Sequence, residues 1–480
     1  MIHRTKNVIR AILPKNAFAR GVSVLVGGTA GAQLLTVLAA PLLTRLYSPE
    51  DFGVLAVYAS LLALIGVISS LRYELAIPLP EDDTEAANVA ALSLILVGIS
   101  TLLSAVLVLL LGTPIAEALG VPALAGYLWL LPVGVLLGGA YSVFNYWSVR
   151  TKRFSTIAGT RLRQALATIA IQLAAFKLGG IALLLGQVAG QGVGTTSLAR
   201  PALAMPAFRQ VSWGGVRQAA VRYRRFPIFT TWAGLFSTGG TQLPPLMIAA
   251  FFTAAGAGLY ALAHRVLTLP MILVGSALQS VFLSSAPEAL RNNQLGEKVH
   301  RLLDILTQIA VLPAAILVIT GPDLFAIVFG EEWRQAGALA QWMTPWLVLQ
   351  FCTGPLTIVN AVAEKQHLGL IMQVQLFTVR VVMLAIGAYH GDVVFAIMLF
   401  SVGSAVSYLI FLWQVLSVVD VSIMVYLKSL SRAFGFASLI VAPIFLFPDF
   451  LLDWTTFSVV AITVTSLVSV RFVVLFRYQY

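Results

Sequence analysis

Arg72 and Glu74 stand two residues apart at the end of an apolar run that begins near Phe52. A charged pair beside a hydrocarbon-length helix is costly unless it faces protein or water. Arginine at such a place suits phosphate, because the guanidinium keeps its charge and grips two oxygens at once. Arg265 and Arg380 have apolar sequence on both sides and lie too deep to snorkel easily, which reads as an inward-facing cavity. Arg161 and Arg163 enter the first turns of another apolar run, where reaching back to the membrane surface and lining a cavity are equally good readings. Glu74 and Asp304 are the carboxylates close to such runs. Glu74 either takes up a coupling H+ or Na+, or only neutralises Arg72. The amides Gln33, Asn145, Gln187, Gln191, Gln242, Gln279, Asn360, Gln373 and Gln375 would line a wet path suited to sugar hydroxyls; taken singly, each serves as well to join two helices.

Other chemistries find little support. The five histidines (His3, His264, His300, His367, His390) have no metal-ligand spacing. Cys352 is the single cysteine and lies inside an apolar run, where it reads as a small buried hydrophobe. There is no nucleotide-binding P-loop and no Ser-His-Asp constellation, and the Gly190–Gly194 stretch is too short for a dinucleotide loop. No catalytic residue, metal or organic cofactor is expected. Energy for any vectorial work must then come from an ion gradient, the membrane potential or cargo binding.

The elements that position these residues follow from composition. Of 480 residues, 59% are hydrophobic and 10% charged, against roughly 25% charged in soluble chains. Repeated apolar runs of about 20 residues predict an all-α polytopic membrane protein of about 14 transmembrane helices. The net charge of +11 invites a nucleic-acid partner, but the basic residues sit in short loops with no aromatic-interleaved motif, so they read as topology charges.

The predicted order is a basic arm at 1–20, followed by a first run too long for a signal-peptide core. An N-lobe of six helices covers 21–199, with spans near 21–45, 52–78, 86–111, 124–148, 156–176 and 180–199. An arginine-rich amphipathic linker, 200–227, should lie along the cytoplasmic face. A C-lobe of six helices covers 228–416, with spans near 228–250, 256–284, 302–320, 338–360, 367–388 and 393–416. Two further helices, near 430–447 and 456–475, complete 417–480. Most of the 30 Lys and Arg residues fall on the N-terminal side, and only Arg45, Lys177 and Arg334 mark the opposite edge. That bias predicts both termini in the cytoplasm. Ser48–Tyr58 and Thr253–Ala263 resemble each other, each with a glycine near the start of a helix. Such a repeat predicts two lobes related by a pseudo-twofold and a substrate path between them.

The pieces Thr44–Gly53 (TRLYSPEDFG), Leu71–Ala76 (LRYELA) and the acidic turn leading to Ala86-Ala87-Asn88 resemble the N-terminal signature of polysaccharide-biosynthesis flippases of the Wzx type. These belong to the multidrug/oligosaccharidyl-lipid/polysaccharide exporter superfamily. The signature covers about the first hundred residues; the rest is similar in span number and pattern. The resemblance implies two six-helix lobes around a central cavity in the bacterial inner membrane. It implies translocation of an undecaprenyl-diphosphate-linked oligosaccharide, destined for O-antigen, lipopolysaccharide or exopolysaccharide, by alternating access. Membrane lipids, and the polysaccharide polymerase and chain-length proteins, are the implied partners, with no nucleic acid. It also implies that Arg45, Arg72 and Arg265 fall in spans whose arginines meet the diphosphate. The alternatives are a cation-coupled exporter of small drugs, a peptidoglycan-precursor flippase, and a polysaccharide polymerase or ligase. The last should carry a large external loop, and the longest expected here is only about 321–337.

Overall fold

Hydrocarbon offers no hydrogen bonds, so a chain this apolar must satisfy its backbone internally, and helix is how the described residues do so. The computed structural model describes residues 17–446, and among them there is no strand. The first unit holds α1 (Ala17–Leu43), α2 (Pro49–Ile68), α3 (Asp83–Ala118), α4 (Leu130–Arg150), α5 (Phe154–Ala174), α6 (Gly180–Leu203), α7 (Trp213–Arg222) and α8 (Thr231–Phe251). Next comes α9 (Ala254–Pro270). A π-helical turn, Met271–Gly275, joins it to α10 (Ser276–Arg291). The chain continues through α11 (Leu295–Phe329), α12 (Arg334–Thr353), α13 (Thr357–Val362), α14 (Gln366–His390), α15 (Val393–Val418) and α16 (Ile423–Leu446). Eight of the described helices are long and apolar enough to cross a membrane. Helices also stand at the other expected positions up to the thirteenth, with more Gly, Gln, Thr or charge in them. The expected fourteenth span, near 456–475, and most of the basic arm lie outside the described residues.

The chain divides into two compact units, Met1–Gly258 and Leu259–Tyr480. In the first, α5 packs on α6 and α1, α4 packs on α3 and α6, and α8 runs along α2. Its core joins Tyr73, Ala86, Val89, Val143, Trp147, Leu198 and Tyr223. Large apolar side chains of α3 point outward instead, Leu109 at 84% exposure among them. In lipid that outer face loses nothing, and close packing of small residues does the joining. Two of the helix starts that resemble each other in sequence are brought together here. A Cβ on Gly53 would collide with the Ala254 carbonyl, and one on Gly258 with the Pro49 carbonyl, so both positions must be glycine for the backbones to approach. In the second unit, α11 packs on α12 and α16, and α15 packs on α12 and α14.

One boundary differs from the sequence expectation. The second span was expected to run to residue 78, but α2 ends at Ile68. Leu71 (φ 49°) and Arg72 (φ 63°) both adopt the left-handed conformation, and a 3-10 turn, Tyr73–Ala76, follows. Left-handed backbone cannot continue an α-helix, so Arg72 and Glu74 belong to a tight turn between two spans. At the start of α2, Ser48 and Asp51 form a reciprocal capping box with Pro49 at the first helical position.

Candidate functional site

The turn after α2 concentrates buried charge. Glu74 is nearly inaccessible, its side chain 3% exposed, and Arg72 stands at 25%. The Ser70 hydroxyl donates to Glu74 Oε2. Arg72 Nη1 lies 3.7 Å from Glu74 Oε1, a loose ion pair rather than a bidentate clasp. Arg72 Nε is buried and makes no hydrogen bond. Its guanidinium packs against α8 at Gly234, where a Cβ would come within 2.6 Å of Nη2. Tyr146 on α4 lies within electrostatic reach of both charges. Burial pushes the Glu74 carboxyl above its ordinary value, and the Ser70 hydrogen bond and the Arg72 charge act against that push. Two consecutive left-handed, non-glycine residues hold the turn, at a cost of order 1 kcal/mol each. The strained turn thus keeps one cation a quarter exposed beside one buried carboxyl.

A second polar line runs along α4. Tyr141 and Asn145, one helical turn apart, leave Tyr141 Oη and Asn145 Oδ1 buried without a hydrogen-bond partner. Gln191 on α6 sits beside Gly138, one turn earlier, with Oε1 also unpartnered. Arg161 Cζ stands 5.2 Å over the Tyr141 ring. Buried polar atoms left without partners in protein call for water or a ligand hydroxyl. Gln33 and Gln187 are half-buried, and Gln242 Oε1 accepts from Ser60 at 3.1 Å. Arg163 is exposed. Arg45 is exposed beside the start of α2, separated from Arg72 by the helix length of about 30 Å. The resemblance named these two arginines together, while the charge count put Arg45 at the opposite edge, and they lie at opposite ends of α2.

In the second unit Arg380 is buried at 5% exposure and encased by aromatic rings. Its Cζ lies 4.8 Å from Trp346 and 5.3 Å from Phe400, and its Nε donates to Ser404 Oγ at 3.2 Å. Trp346 is stacked in turn on His264 and Tyr408. These contacts house the cation in packed protein. Arg265 and Gln279 are half-buried and Gln373 is exposed. Asp304 Oδ1 and both amide atoms of Asn360 are buried without partners. Among the described residues no group of three or more His, Cys, Asp or Glu is placed to hold a metal.

One functional-looking residue escaped the sequence reading. Arg150, at the end of α4, clamps the turn that leads into α3. It donates to the carbonyls of Ile77, Pro80 and Glu81 and pairs with Asp83 at 2.9 Å. Its signal was an arginine at a helix C-terminus matched by the acidic run Glu81–Glu85.

The described residues form a multi-helix bundle with buried charge at a strained turn, and solved structures share its fold. The chain superposes on the lipid II flippase MurJ in an inward closed conformation with a TM-score of 0.73, at 13% identity, covering 95% of this chain and 99% of that one. A multidrug resistance MATE family transporter of the MOP superfamily, inward-facing, gives 0.65 at 15% identity over 81% and 96%. The Vibrio cholerae MATE transporter VcmN, in its bent form, gives 0.51 at 15% identity over 86% and 98%. At such identities the likeness establishes the fold. No curated protein matches the sequence. The family described as polysaccharide biosynthesis protein matches residues 42–338, and the chain belongs to that family.

Proposed function

We propose that the protein is a flippase. It moves an undecaprenyl-diphosphate-linked oligosaccharide repeat unit from the cytoplasmic to the periplasmic leaflet of a bacterial inner membrane by alternating access. The observation that carries the reading is Arg72: a fixed cation with a buried, unpartnered Nε, held by a strained turn beside a carboxyl that pairs with it only loosely. A diphosphate offers the oxygens that would complete its hydrogen bonds. The line of Tyr141, Asn145 and Gln191 supplies acceptors for sugar hydroxyls. Family membership and the flippase fold neighbour point the same way. Glu74 is the candidate for a coupling H+ or Na+, taking part as the partner that Arg72 leaves when the diphosphate binds. Deleting the gene should accumulate lipid-linked repeat units on the cytoplasmic leaflet and remove surface polysaccharide. Normal surface polysaccharide without the gene would contradict the reading.

The buried carboxyl of Glu74 favours the drug-exporter alternative, since small cations need an anionic partner. Efflux of a cationic dye by vesicles holding the protein, abolished by Glu74→Gln, would select that reading instead.

A further inference from the structure

The stretch 200–230 carries six arginines (Arg200, Arg209, Arg217, Arg222, Arg224, Arg225) and no carboxylate. Its inner side is fastened to the first unit. Val216, Ala219 and Tyr223 are buried in the core shared with α3 and α4. Arg222 Nη1 pairs with Glu85 at 2.6 Å, and the Tyr223 hydroxyl donates to the same carboxylate at 3.1 Å. Ser212 N donates to Asn88 Oδ1 at 3.0 Å, and the Tyr73 hydroxyl donates to the Ala220 carbonyl at 2.9 Å. Gly215 rests on the Asn88 amide so closely that a Cβ would come within 2.5 Å of it.

The outer side is built differently. Trp213, Arg217, Val221, Arg224 and Ile228 recur every three or four residues and all are exposed, with Arg225 and Phe229 beside them. Trp213 is 75% exposed and Phe229 67%. Large apolar side chains thus alternate with exposed arginines along α7 and the turns that follow it, Arg224–Arg225 and the π-helical Phe226–Thr230, and the ties on the inner side hold this stripe in place. The stretch also joins the end of α6 to the start of α8.

We propose that this stripe is a binding site for anionic phospholipid headgroups. Aromatic and aliphatic tips enter the boundary of the acyl layer while the arginines meet lipid phosphates. Charge decides against a zwitterionic-lipid occupant: Arg222 is taken by Glu85, but Arg217, Arg224 and Arg225 form no ion pair among the described residues, and the exposed apolar side chains between them suit an acyl boundary. The Tyr73 tie places the headgroup site in direct mechanical contact with the turn that carries Arg72.

The test uses the full-length protein in neutral detergent, titrated with short-chain phosphatidylglycerol or with phosphatidylcholine of the same chain length, and reads thermal stabilisation. Phosphatidylglycerol should stabilise saturably and phosphatidylcholine should not. R217Q/R224Q/R225Q should weaken the apparent affinity about 100-fold, roughly a factor of five per cation. The corresponding Lys triple should retain it, since the attraction is between point charges. R291Q/K365Q, which removes exposed charge elsewhere, should leave it unchanged. Raising the salt concentration on the unaltered protein should weaken the affinity without any substitution. Equal stabilisation by both lipids, salt-independence, or equal losses in the triple and control variants would overturn the proposal.

Discussion

The Arg72 guanidinium and the Glu74 carboxylate lie 3.7 Å apart yet inhabit different surroundings, one a quarter exposed and the other almost wholly buried. A pair this uneven is not a lock. Burial works against the charged carboxyl while Ser70 and Arg72 support it, so a departing arginine leaves a costly unpaired charge that uptake of a proton would relieve. Exchange of Glu74 for an anionic cargo is therefore expected to go together with protonation of the carboxyl.

Glu74 binds its proton more tightly in the folded protein than in the unfolded chain. Folding is therefore favoured most below the unfolded value of about 4.5, and stability falls as pH rises through the raised folded value. Thermal melting of the purified protein from pH 4.5 upward should show this decline. Glu74→Gln should flatten it. An unchanged profile in the Gln variant would place the titrating group elsewhere.

Arg380 should behave as a structural residue. Arg380→Ala removes two ring contacts and the Ser404 hydrogen bond, and should cost about 3 kcal/mol of stability. Any loss of transport should scale with the loss of folded protein. Normal melting with abolished transport would instead assign Arg380 to the cargo.

Arg150→Gln should loosen the turn between α2 and α3, because one guanidinium serves three carbonyls and a carboxylate there. The expected cost is about 2–3 kcal/mol, and Lys should not rescue it, since an ammonium cannot span that fork. Limited proteolysis near residues 78–83, together with melting temperature, reads the outcome.

Gly53→Ala should be far more damaging than Gly234→Ala. At Gly53 the new methyl meets the Ala254 backbone carbonyl, and overpacking of at least 1–3 kcal/mol is expected. At Gly234 it meets only the end of the Arg72 side chain, which can shift. Gly234→Ala should therefore fold normally and transport poorly. Expression and melting temperature separate the two.

Helix positions were legible because lipid leaves an apolar run of that length few other conformations. The end of α2 was not: apolar sequence continues through Leu71, and ordinary residues seldom take the left-handed backbone that Leu71 and Arg72 adopt. Arg380 looked like a cavity cation because its own neighbours are apolar, while the rings that enclose it come from the separate helices α12 and α15. Arg72 and Glu74 were legible as a pair from their spacing. What distinguished them, the orphaned Nε and the Gly234 contact, depends on a helix more than 150 residues further on.

The central claim is that Arg72 carries the diphosphate of a lipid-linked glycan. The direct measurement is translocation of undecaprenyl-diphosphate-linked oligosaccharide across vesicles reconstituted with the wild-type, Arg72→Lys and Arg72→Ala proteins. Loss of a charge-assisted contact of about 1.5–3 kcal/mol predicts a rate 10–150-fold lower for the Ala variant at equal amounts of folded protein, with partial recovery in the Lys variant. An Ala variant that translocates at the wild-type rate would contradict the account.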